Sequence, residues 1–137
     1  MQNAYSVLCD TGPLVALYSP HDRAQRPCRE ALDAYTGKLL TTWPVITEAF
    51  YLLPRLDQRE LLWGLIFRGG VEFVHIEPSD LERMHELMKK YANVRMDMAD
   101  ASLVAVAERL RVVRIFTLDS HFRIYRPRHA KAFEVFP

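Results

Sequence analysis

The chain has 137 residues, half of them apolar, with 18 Lys and Arg against 17 Asp and Glu; that is enough for one domain, residues 1–137, whose core needs neither disulfides nor a structural metal. The balanced charge argues against binding nucleic acid or membrane by bulk attraction, so either partner must be met by a local patch. Cys9 and Cys28 form no CxxC pair and lack histidines at zinc spacing, which argues against a zinc knuckle or disulfide framework and suits a reducing cytoplasm.

The opening "MQNAYSVLCD" lacks a basic region leading into a long apolar run, and no window reaches the roughly 20 apolar residues of a membrane helix, so a cytoplasmic chain free of membrane is expected. "AYSVLCD" (4–10) reads as a strand ending on an acid, and "TGPLVALY" as a turn into a helix at Gly12 and Pro13. A more polar helix is predicted over 22–35 and stopped by Gly37, followed by a strand at 38–42. The segment 43–54 reads as a helix with Pro44 near its start and Pro54 past its end. Next come a helix over 57–70 with a Gly-Gly stop, a strand over 71–76 and a helix over 79–92 capped by Ser79. A helix opening at Asp97, a strand over 111–117, a short helical or irregular stretch through Arg128 and a terminal strand at 133–137 complete the chain. Alternating strands and helices predict an α/β fold with a central parallel sheet.

In such a sheet, loops at the carboxyl ends of the strands converge on one crevice. Asp10 closes the first strand, Asp119 follows the strand at 111–117, Glu48 lies on the helix after the second strand, and Asp97 and Asp100 open the helix before the fourth. Each has an ordinary alternative: Asp10 or Asp119 starting a turn, Asp97 capping its helix, Asp100 meeting the helix dipole. Glu48 sits among apolar neighbours in "PVITEAFY", where a charge needs compensation. From a helix start at Asp97, Asp100 shares an otherwise apolar face with Val104 and Ala107, and "ADASLVAVA" supplies no Lys or Arg partner. A cation from solution is the economical answer. Clustered carboxylates without His or Cys suit a hard ion, Mg²⁺ or Mn²⁺, and such ions serve phosphodiester hydrolysis.

"DTGPLVALY" (10–18), "ITEAFYLL" (46–53), "MDMADASLVAVAERL" (96–110) and "IFTLDSHFRIYR" (115–126) resemble, in order and along nearly the whole chain, the successive motifs of PIN-domain ribonucleases, in particular VapC-type toxins of toxin–antitoxin pairs. The resemblance implies a three-layer α/β/α sandwich and Mg²⁺- or Mn²⁺-dependent endonucleolytic cleavage of RNA. It aligns the family's acids with Asp10, Glu48, Asp100 and Asp119, and an additional acid of some members with Asp97. Asp10, Asp100 and Asp119 are then expected to hold one or two ions, with Glu48 aiding a second ion or the attacking water. Thr11 and Thr117 match the hydroxyls near the first and last acids and are expected on the substrate side. The resemblance further implies a homodimer and an inhibitory antitoxin.

Between Arg109 and Lys131 lie seven basic residues, Arg109, Arg111, Arg114, Arg123, Arg126, Arg128 and Lys131, against the single acid Asp119. With Phe122 and Tyr125 among them, they offer cations for RNA phosphate and rings for bases, Arg123 and Arg126 foremost; the alternative is a solvated face. The apolar runs "FYLL" and "LLWGLIF" either complete the core or form a self-association or antitoxin surface. Two rival functions remain. One is an aspartyl-nucleophile phosphatase, disfavoured because "DTG" lacks a second aspartate two positions on; the other is a non-catalytic, metal-stabilised RNA- or protein-binding module.

Overall fold

A computed structural model describes residues 6–137. Its centre is a sheet of five parallel strands, β1 (Ser6–Cys9), β2 (Lys38–Thr41), β3 (Glu72–Phe73), β4 (Arg114–Phe116) and β5 (Glu134–Phe136), in the spatial order β3-β2-β1-β4-β5. Helices α1 (Thr11–Leu17) and α2 (Gln25–Ala34) join β1 to β2, α3 (Trp43–Leu52) and α4 (Leu56–Phe67) join β2 to β3, and α5 (Pro78–Lys90) and α6 (Met98–Leu110) join β3 to β4. The chain steps outward from β1 to β3, then returns past both strands to set β4 on the other side of β1. Because parallel crossovers are almost always right-handed, the outward and return journeys lay helices on opposite faces of the sheet. The result is the three-layer α/β/α sandwich expected, and the order reverses between β1 and β4, where ligands bind in open sheets of this kind.

The central strand β1, "SVLC", is buried at all four positions, as a strand covered on both faces requires. Residues 4 and 5 of its expected extent lie outside the described residues. Helix α6 is likewise buried without a break from Ala99 to Ala107, and its many small side chains let it lie close to the sheet. The apolar face expected at Asp100, Val104 and Ala107 is therefore only part of a helix enclosed all round. Arg83 of α5 grips Glu108 of α6 through paired contacts of 2.8 and 3.1 Å.

Several boundaries differ from expectation for local reasons. The cap of α5 is Glu77, not Ser79. Pro78, with its fixed φ and missing amide hydrogen, takes the first helical position, and the Glu77 amide donates to Asp80 Oδ2 at 2.9 Å. Strand β3 is two residues long instead of six: Val74 still donates to Thr41 O, but the His75 carbonyl accepts from the Arg109 guanidinium at 2.8 Å and leaves the ladder. Strand β4 begins at Arg114 rather than 111 because Arg111 closes α6 in the left-handed region, at φ 59°. Helix α4 does stop before its glycine pair, with Gly69 at φ 74° and the Gly70 amide donating to Leu65 O at 2.9 Å.

The apolar runs of α3 and α4 divide. Leu53, Leu62 and Leu65 enter the core, while Tyr51 (83% exposed), Phe67 (80%), Leu52 and Leu61 stand in solvent. Completing the core, one of the two readings of these runs, accounts for only half of them. No helix among the described residues is long and apolar enough to cross a membrane.

Candidate active site

Strands β1 and β4 part at Asp10, whose amide still donates to Phe116 O at 3.0 Å. Beyond that bond the chain turns into α1 on one side and toward Asp119 on the other. Asp10 caps α1, its Oδ1 accepting from the Thr11 amide at 2.8 Å, and its Oδ2 accepts from the Thr117 hydroxyl at 2.7 Å. The same Thr117 oxygen accepts from the Asp119 amide at 3.0 Å, so one buried hydroxyl ties the ends of both strands together. Asp119 caps the 3-10 turn Ser120–Arg123 by accepting from the His121 amide at 2.9 Å. Asp100 arrives from the first turn of α6; its amide donates to Asp97 Oδ1 at 2.8 Å, and its Oδ2 accepts from the Tyr125 hydroxyl, also at 2.8 Å.

Three segments far apart in the chain thus bring Asp10, Asp100 and Asp119 together, with one oxygen of each lying within 4.8 Å of the others. They line a cavity of about 340 Å³ whose walls carry six carboxylates, Asp10, Asp22, Glu48, Asp97, Asp100 and Asp119, and no basic side chain. Glu48 is half-buried and is brought to the rim by α3, which is pinned to α6 through a 2.7 Å bond between Thr42 Oγ1 and Ser102 Oγ. Asp97 is exposed at the same rim and is a helix cap in fact, as one of its two readings held. Glu48 and Asp97 stand outside the tight group of three.

The electrostatics follow from this crowding. Burial pushes the Asp10 carboxyl from its ordinary 3.8 up to about 6; the Thr117 hydroxyl and Thr11 amide pull it back, and Asp119 and Glu48 push it further. Burial likewise drives Asp100 up to about 8, against the pull of the Tyr125 hydroxyl and with the repulsion of Asp97, Asp10 and Asp119 added. Among the described residues no Lys or Arg forms an ion pair with any of the three. Three converging oxygens, two of them on acids whose pKa burial raises, with no Lys or Arg partner among the described residues, form a donor set that fits a hard divalent ion.

Other expectations need correction. Thr11 and Thr117 are buried, their hydroxyls donating to Val45 O at 3.4 Å and to Asp10 Oδ2 at 2.7 Å, and each still borders a hollow at the acids. Phe122 and Tyr125 are fully buried and offer no ring face to a base. The basic run 109–131 is dispersed. Arg109 pairs with Asp80 and Glu77, Arg128 with Glu86, and Arg114 with Glu134, where it also covers the rings of Tyr35 and Phe136. Arg109 lies nine residues along α6 from Asp100, about 14 Å at 1.5 Å per residue. Arg126 is exposed but folds back onto the carbonyls of Arg123 and Tyr125. Arg123 alone of the seven lines a hollow beside the acids, shared with Thr117 and Asp119.

Two contributors escaped the sequence reading. Asp22 reaches the cavity from the loop between α1 and α2, a placement with no local signal. Tyr125 supplies the hydrogen-bond partner that the neighbours of Asp100 could not, from 25 residues away.

The PIN domain family profile matches residues 7–126. Ribonuclease VapC26 of Mycobacterium tuberculosis is 27% identical over 135 residues, covering 96% of this chain and all of the relative. Among solved structures, the sarcin–ricin-loop-cleaving toxin VapC20 of M. tuberculosis superposes with a TM-score of 0.77 at 17% identity, over 91% of this chain and 98% of that one. A toxin–antitoxin complex from Klebsiella pneumoniae gives 0.66 at 20% identity, over 83% and 87%. Family profile, sheet order and the position of the acids at the reversal between β1 and β4 agree: the chain belongs to the PIN-domain family.

Proposed function

We propose that this protein is a divalent-metal-dependent endoribonuclease that hydrolyses RNA phosphodiester bonds as the toxin of a type II toxin–antitoxin pair, with residues 1–137 acting as one PIN domain. The observation that carries this reading is the meeting of Asp10, Asp100 and Asp119 within 4.8 Å, with no Lys or Arg paired to them among the described residues. The likeness to a ribonuclease along 96% of the chain supports RNA as the substrate, and the toxin–antitoxin complex among the structural neighbours supports an antitoxin partner. Asp10, Asp100 and Asp119 hold Mg²⁺ or Mn²⁺ from three elements. When bound, such an ion supplies charge neutralisation at the scissile phosphate and lowers the pKa of the attacking water. Glu48 orients that water from the rim or helps hold a second ion, Asp97 stabilises the helix that carries Asp100, and Arg123 meets a flanking phosphate. The exposed apolar residues of α3 and α4 serve the homodimer or the antitoxin, and the protein works in the cytoplasm.

The test is cleavage of structured RNA by wild type and by Asp10→Asn and Asp100→Asn, each with Mg²⁺, Mn²⁺ or EDTA. Wild type cuts with metal and stops in EDTA, and each variant loses at least a hundredfold in rate, the order seen when a charge aimed at the reacting centre is removed. Equal cutting by all three proteins contradicts the site. Metal-dependent melting without any cleavage fits instead a metal-stabilised binding module.

A further inference from the structure

Asp100 is the member of the acid cluster carried on a helix rather than at a strand end, so no ladder bond fixes its carboxylate. Its Oδ2 accepts from the Tyr125 hydroxyl at 2.8 Å, and among the described residues no hydrogen bond reaches its Oδ1. The Tyr125 ring is fully buried and held on two sides, by the edge of Tyr91 at 5.0 Å and by Phe122 at 5.1 Å between ring centres. Tyr91 fastens the same segment a second time, its hydroxyl accepting from the Arg126 amide at 2.9 Å. A hydroxyl on an immobilised ring is thus aimed at one oxygen of a carboxylate whose other oxygen accepts no hydrogen bond among the described residues.

We infer that Tyr125 is a positioning residue of the metal centre, holding Asp100 Oδ2 so that the remaining oxygen is turned toward a cation shared with Asp10 and Asp119. The inference rests on the metal-centre reading given above. A side-chain donor on the outer oxygen of a ligating carboxylate restricts its rotation, and loss of such partners commonly weakens metal binding. Orientation comes from packing, since neither Tyr91 nor Phe122 touches the acids through a hydrogen bond; the hydroxyl alone carries it to Asp100.

The experiment is Mn²⁺ titration of RNA-free protein, followed by electron paramagnetic resonance of the free ion, for wild type, Tyr125→Phe, Tyr91→Phe and Asp100→Asn. Titrations are run well below every melting temperature, and circular dichroism reports folding. Tyr125→Phe keeps the ring and removes only the donor, so its Kd for Mn²⁺ rises roughly ten- to a hundredfold while its spectrum stays that of wild type. Tyr91→Phe loosens the same segment without touching Asp100 and keeps the wild-type Kd. A wild-type Kd in Tyr125→Phe, or an equal loss in Tyr91→Phe, overturns the assignment while leaving the metal centre in place. If Asp100→Asn binds Mn²⁺ as wild type does, the metal-centre reading itself falls and this inference falls with it.

Discussion

A carboxylate at the start of a helix can cap backbone amides and still serve a cation, because it has two oxygens with about four acceptor sites. Asp10 and Asp119 do both, accepting from the Thr11 and His121 amides while joining the cluster. The sequence posed turn start and ligand as alternatives for these residues, and the geometry leaves room for a local hydrogen bond and a place in the cluster at once. Among the acids at the cavity, Asp97 is the cap that stands outside the close group. The three acids that meet, Asp10, Asp100 and Asp119, were legible because each follows a strand or opens a helix with a recognisable pattern. Tyr125 was not, since its bond to Asp100 depends on how the segment after β4 folds back over α6. Thr117 gives the sharpest test at this scale, because its one hydroxyl donates to Asp10 and accepts from the Asp119 amide. Thr117→Val keeps the shape and removes both bonds. It should lower RNA cleavage roughly ten- to a hundredfold and stability by about 1–3 kcal/mol in urea unfolding, whereas Thr117→Ser should restore most of each. A valine variant as active as wild type would show that the brace is dispensable.

Among the elements, α6 decides most: its amino end delivers Asp100, its middle fills the core and its carboxyl end is closed by Arg111 at φ 59°. A non-glycine residue there bears steric strain that glycine avoids. Arg111→Gly should therefore raise stability by about 0.5–1 kcal/mol without changing cleavage, since Arg111 is eleven residues from Asp100, about 16 Å along the helix. Lower stability in denaturant unfolding would contradict that account of the cap. At the other contact of α6, Arg83 and Glu108 are 14% and 10% exposed and bind each other through two nitrogens and two oxygens. Glu108→Ala would leave that guanidinium nearly enclosed and without its main partner, at a cost of about 3 kcal/mol. The alternation of helix and strand was visible in the hydrophobic pattern, but the lengths of β3 and β4 were not. They are set by an arginine bond to the His75 carbonyl and by the left-handed residue ending α6. The apolar character of α3 and α4 was equally plain, yet periodicity could not tell which side chains face solvent.

For the molecule as a whole, the reversal of strand order between β1 and β4 places the crevice, and the acids that meet there leave a signature in how stability responds to pH. Asp10 and Asp100, raised to about 6 and about 8, favour their neutral forms in the folded state. Between their unfolded values near 3.8 and these folded values the native protein binds more protons than the unfolded chain, so this contribution to stability is complete below pH 4 and is lost as pH rises to 8. Glu108 runs the other way: burial raises it, but Arg83 and the Arg128 amide hold it below its ordinary 4.5, so its contribution is complete above that value and is lost only as pH falls. In EDTA the melting temperature should fall from pH 5.5 to pH 8, and Mg²⁺ should raise it more at pH 8, where fewer protons compete for the carboxylates. A metal shift independent of pH would contradict the buried, proton-retaining site. The basic run was the least informative part of the sequence, because spacing along the chain could not show that Arg109, Arg114 and Arg128, half of its arginines, pair with acids elsewhere. The most direct test of the central claim, that Asp10, Asp100 and Asp119 form one metal centre, is anomalous X-ray diffraction from crystals soaked in Mn²⁺. The account predicts a peak at coordination distance from oxygens of all three residues; no peak there, or one held only by the exposed Asp22 and Asp97, would contradict it.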